Sequence, residues 1–211
     1  IGLDYGTSAT KVVLREGDNP ATVFALDGGC SGFEWFATPS SVRVDANRMW
    51  FGSASRAEDP GILYENLKVA MLTGRKQGPG NTLTTSEVEF LVAAHLAWCL
   101  AVIRKHLDSR HGPTGYRSLL HVAAPMEQSG SARLTRDYDR LLHAAQSVAF
   151  GEQPLDISLP MSRALLQARL GPLLDSGVLP DAGERTFRVS PETLAPFVSL
   201  LQDRATPLGM H

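Results

Sequence analysis

Residues 84–111 leave themselves few places in a fold. Thr84 and Glu87 fit a capping box, and Ser86 and Glu89 repeat the pattern two residues on. Val88, Leu91, Val92, Cys99, Val102 and Ile103 follow helical spacing, while Phe90, Ala94, Ala97, Trp98 and Ala101 fill an adjoining face. A helix that is apolar around most of its circumference has to be enclosed. The apolar run from Phe90 to Ile103 contains His95 and is shorter than the roughly 20 residues a bilayer span needs. The pattern therefore predicts a core helix sandwiched between layers and no membrane partner. Gly112-Pro113 ends it.

The elements around it read mainly as strands first and helix–strand units afterwards. Residues 1–3, 11–14 and 21–26 read as strands, as do the alternating Val42-Arg43-Val44 and Met49 to Gly52 after the turn Asp45-Ala46-Asn47. Residues 53–58 and 64–72 read as short helices, and the polar 75–82 as a loop. After the long helix, 119–124 reads as a core strand, 131–150 as a helix and 155–159 as a short strand. Residues 161–170 read as helix, extended by Pro172 to Val178. Phe187 to Val189 reads as a brief strand, and Ser190-Pro191-Glu192 as the start of a last helix. This order predicts an α/β domain with a mixed sheet covered by helices.

Composition narrows the function classes. Of 211 residues, 43% are hydrophobic and 20% charged, as in ordinary globular chains. A formal net charge of −2 argues against a nucleic-acid binder with a broad cationic face. Cys30 and Cys99 are the only cysteines, too few for a disulfide scaffold, so a reducing cytoplasm is expected. The six histidines, His95 among them, show no zinc-type spacing and read as surface or core residues.

Chemistry concentrates in the first eleven residues. A short apolar strand runs into Asp4-Tyr5-Gly6-Thr7-Ser8, and Thr10-Lys11 leads into a second strand. A tight polar turn of this kind can aim N–H groups and small hydroxyls at a phosphate chain. Gly6 lets the backbone approach closely. Asp4 offers a carboxylate able to hold a hydrated magnesium ion beside the phosphates.

This segment resembles the first phosphate motif of the actin-like ATPase superfamily, which includes actin, DnaK-type chaperones and sugar kinases. Later segments resemble the DnaK type in the same order: Thr38-Pro39-Ser40-Ser41-Val42, Phe51-Gly52 with Ala54, Asn66-Leu67-Lys68 with Leu72 and Gly74-Arg75-Lys76, His121 to Pro125 with Ser129 and Arg133, and Ala144-Ala145 through Phe150. The resemblance implies an actin-like (ribonuclease H-like) lobe, one of two in the intact domain. It would span residues 1–160, with a smaller subdomain inserted around 35–110, and 161–211 would be a helical extension toward a second lobe. It implies ATP or ADP with Mg2+ as ligands, wrapped by Gly6, Thr7 and Ser8. Asp4 would serve the metal through water, and Lys68 would reach the γ-phosphate and orient the attacking water. From the residues alone, Lys68 could equally be a solvated helix lysine.

Departures mark the limits of the resemblance. The family's asparagine-glutamate-proline triplet, whose glutamate helps hold the metal shell, aligns with Ser158-Leu159-Pro160. A second phosphate motif, Asp-x-Gly-Gly-Gly-Thr, is absent, and Asp181-Ala182-Gly183 reads as a plain turn. The expected function is thus ATP binding by a chaperone-like lobe that hydrolyses ATP only when completed, with a second lobe or a partner protein covering the cleft. The alternatives are a non-hydrolysing actin-fold scaffold and the first half of a sugar or acid kinase.

Overall fold

The computed structural model describes residues 1–27, 36–57, 60–73, 83–124, 132–177 and 187–191. Strand β1 (Gly2–Tyr5) and strand β2 (Ala9–Leu14) form an antiparallel hairpin with Gly2 opposite Val13 and Tyr5 opposite Thr10. β3 (Thr22–Phe24) and β4 (Ala37–Pro39) pair antiparallel with successive halves of the outer edge of β2. On the other side β1 pairs in parallel with β8 (Leu120–Ala124), and β8 pairs in parallel with β10 (Phe187–Pro191). The main sheet therefore runs β10-β8-β1-β2-β3, with β4 beside β2. A second sheet contains β7 (Ile62–Tyr64), β5 (Val42–Asp45), β6 (Arg48–Phe51) and β9 (Met161–Ser162) in that order, all antiparallel.

Among the described residues, four α-helices accompany these sheets: α1 (Leu67–Thr73), α2 (Thr85–His111), α3 (Ala132–Phe150) and α4 (Arg163–Ser176). Both halves of the Thr84–Glu87 capping box form, and the Gly112 N–H closes on the Asp108 carbonyl. Fifteen of the 27 residues of α2 are buried, spread around the helix. Its small residues Ala93, Ala94, Ala97 and Ala101 let neighbours approach, and Leu3, Tyr5 and Val12 of the main sheet join it in one core with Tyr138, Leu141 and Leu142 of α3. By length and composition α2 could cross a bilayer, but 78% of its most apolar window is buried inside the protein. Glu89 near its start pairs with Arg140 of α3 at 2.7 Å, and Arg104 near its end reaches the Ala149 carbonyl, so the two helices run side by side in one direction. The fold is α/β, a mixed sheet flanked by helices.

Several local expectations change. Residues 53–58 contribute only a 3-10 helix, Gly52–Arg56. Tyr64 belongs to a strand; the helix expected from there starts at Leu67, after Asn66 takes φ 54°. Residues 155–159 form no strand: Leu155 is buried and Leu159 packs at the edge of the core. From 161 onward the described residues are not all helical. They supply β9 to the second sheet, then α4, then β10 to the main sheet. Pro172 sits inside α4, consistent with one helix across it. Ser190 and Pro191 close a strand instead of opening a helix. The 75–82 loop, Cys30, the Gly74-Arg75-Lys76 segment, Pro125, Ser129 and the turn at Asp181 lie outside the described residues.

Candidate functional site

The β1–β2 hairpin closes through Thr7 and Ser8. The Gly6 N–H donates to the Ala9 carbonyl at 3.0 Å. A Cβ at Gly6 would stand 2.5 Å from that same carbonyl oxygen, so the closure admits only glycine. Alternation along the strands divides the hairpin into two faces. Tyr5 and Thr10 face inward and are fully buried against α2, with the Tyr5 ring 5.5 Å from that of His95. Asp4 stands on the opposite face, half-buried, in register with Lys11 of β2 and Ala123 of β8. The Lys11 ammonium lies 5.8 Å from the centre of the Phe36 ring. Ser8 is exposed, while Gly6 and Thr7 are half-buried.

The position of this turn in the sheet matters more than its sequence. It leaves the carboxyl end of β1. Parallel pairing puts the carboxyl ends of β8, at Ala124, and β10, at Pro191, along the same edge. From β1 the chain continues to β2 on one side; from β8 the next strand of the sheet, β10, lies on the other. Strand order thus reverses between β1 and β8, the location that ligand sites of open α/β sheets favour.

The second sheet hangs from the turn. The Ser40 N–H donates to the Ser8 carbonyl at 3.0 Å, just after β4 has paired with Ala9 to Lys11. Two residues later Val42 opens β5, opposite Tyr64 at the end of β7. α1 follows two residues after β7, carries Lys68 and packs against α2. Lys68 is 3% exposed, which rules out the solvated-lysine reading. An amine kept from water this thoroughly costs stability and is seldom retained without a task.

The structure gathers Asp4, Gly6, Thr7 and Ser8 on one hairpin and buries Lys68 on the adjoining unit. Leu159 is in neither group. The strand that follows β8 in the sheet is β10, so the position after that strand is the end of β10, where Glu192 comes next in the sequence, itself outside the described residues. Three polar residues assigned no role in the sequence are also present: Thr10, Ser40 and His95, all buried. Thr10 Oγ1 is 2.8 Å from Ser40 Oγ and 3.1 Å from His95 Nε2. The signal for them was slight, a histidine inside an apolar helix and two serines after Pro39. Among the described residues, no three His, Cys, Asp or Glu side chains converge as a metal cage. A hydrated Mg2+ needs none, since one or two carboxylates and the phosphates suffice.

No protein-family model matches the chain, and no curated protein matches it in sequence.

Proposed function

We propose that this chain binds the phosphates of ATP or ADP with Mg2+ as the first lobe of a DnaK-like, actin-fold ATPase. One observation carries the reading: the Gly6-Thr7-Ser8 turn lies at the carboxyl ends of three parallel strands, where the strand order reverses. The mixed sheet is compatible with a ribonuclease H-like lobe, and burial of Lys68 adds weight. In this reading the turn supplies backbone N–H groups and hydroxyls to the phosphates. Asp4 holds water of the magnesium shell, and Lys68 contacts the γ-phosphate. Bound magnesium supplies charge neutralisation, and the protein's share is positioning. The carboxylate expected after the strand beside β8 becomes Glu192 in place of Leu159, so Leu159 ceases to argue against hydrolysis. A second lobe or a partner protein completes the cleft, in the reducing cytoplasm that the sparse cysteines suggest.

Titration of the full-length chain with Mg-ATP tests this. Asp4→Ala and Lys68→Met should each weaken binding, or slow turnover where present, by at least tenfold. Lys68→Met keeps the side-chain volume and removes the amine, so a thermal melt run beside the titration separates lost binding from lost folding. Unchanged affinity in both variants defeats the assignment. The absence of Asp-x-Gly-Gly-Gly-Thr favours a second reading, a non-hydrolysing scaffold. Tight Mg-ATP binding without phosphate release would select it.

A further inference from the structure

His95 sits in the middle of α2, fully buried among the rings of Tyr5, Phe51 and Trp98, with centroid distances of 5.5, 6.1 and 5.8 Å. An apolar side chain would fill this place with no polar group to satisfy, so the imidazole needs a reason. Its Nε2 is 3.1 Å from Thr10 Oγ1, and its buried Nδ1 has no hydrogen-bond partner among the described residues. Burial pushes its pKa down to about 3, so the ring is neutral. A proton on Nδ1 would leave a buried N–H unsatisfied, while a proton on Nε2 leaves only an acceptor unmet, the lesser cost. Nε2–H therefore donates to Thr10, and the Thr10 hydroxyl, its own proton free, donates to Ser40 Oγ at 2.8 Å. Ser40 then holds the Ser8 carbonyl through its backbone N–H.

The turn is not of the usual hairpin type. Two-residue hairpin loops usually close as primed turns, with positive φ at the first central residue. Neither Thr7 nor Ser8 has a positive φ. The Ser40 N–H reaches this loop from outside the hairpin.

We propose that His95 is a positioning residue of the phosphate turn, acting through Thr10 and Ser40 to fix Thr7 and Ser8 in the shape that receives a phosphate chain. This rests on the nucleotide reading above. It ties the middle of the core helix to the turn over three hydrogen bonds, with no contact between His95 and the ligand itself.

The test is an NMR titration of the full-length chain with Mg-ATP, joined to amide hydrogen exchange in its absence. His95→Leu and Thr10→Val should each weaken Mg-ATP at least tenfold, and the double variant should lose no more than the worse single one. His95→Gln, which keeps a side-chain N–H, should recover affinity to within about threefold of the wild type, a rescue that mere packing would not produce. Exchange at the Ser40 amide should quicken at least tenfold in the Leu and Val variants and stay near wild type in the Gln variant. Thr10→Val keeps the side-chain shape and carries the test if His95→Leu does not fold. Folded variants with wild-type affinity and unchanged Ser40 exchange overturn the inference and leave the nucleotide reading standing. A wild-type chain that binds no Mg-ATP overturns both.

Discussion

Gly6 carries a constraint that can be measured apart from any ligand. Gly6→Ala must push the Ala9 carbonyl aside or open the hairpin, because the new methyl would lie 2.5 Å from that oxygen. Strain at a closed turn of this kind costs about 2 kcal/mol, so chemical denaturation should show a lowered midpoint with the same slope. A midpoint equal to wild type would mean the turn yields freely, and the case for a shaped phosphate site would weaken. Gly6, Thr7 and Ser8 were readable in the sequence because a tight turn is local and its glycine has a direct steric meaning. Thr10, Ser40 and His95 were not. The last is 85 positions from its partner, and nothing in an apolar helix pattern says which strand its odd polar residue will meet. The burial of Lys68 was equally hidden, since it depends on the return of β7 beside β5.

At the level of elements, the carboxyl end of α3 is fastened from both sides. Arg104 of α2 donates to the carbonyls of Ala149 and Gly151 at 3.0 and 2.6 Å. Arg169 of α4 donates to those of Val148 and Gln153 at 2.9 and 2.6 Å. Two cations at a helix carboxyl end satisfy orphan carbonyls and meet the negative pole of the helix. Arg104→Ala should therefore cost about 2 kcal/mol, and Arg104→Lys should restore only part of it because the planar fork is lost. Equal stability of Arg104→Ala and wild type by urea titration would refute this. Helix α2 was legible end to end, since capping box, periodicity and terminal glycine are all local signals. The β5–β6 hairpin was legible for the same reason, through Asp45-Ala46-Asn47. The place of β10 was not: parallel pairing with β8 is set by 62 intervening residues, and only packing decides which apolar segment takes the edge. Residues 155–159 had the composition of a strand and lost that place to 187–191.

For the whole molecule, one buried imidazole sets an acid limit. His95 titrates at about 3 in the fold against an ordinary 6.5, so below 6.5 the unfolded chain takes up a proton that the fold refuses. The stability it contributes is fully present above pH 6.5 and is lost as the pH falls toward 3, at up to about 1.4 kcal/mol per pH unit. Thermal melts from pH 7 to 5 should fall more steeply for wild type than for His95→Gln; parallel curves would show the histidine to be charged or exposed. The parallel half of the sheet has another consequence, in the order of synthesis. Gly2 pairs with His121, and His121 with Arg188. As the chain leaves the ribosome, the hairpin that bears the candidate site is made before the strands that flank it in parallel. One edge of β1 then stays open until β8 is made, and β8 in turn awaits β10. Until then the chain offers a bare, partly apolar strand edge to whatever is nearby, the kind of edge that invites wrong pairing. Its yield in the cell should depend on how fast residues 120–191 follow.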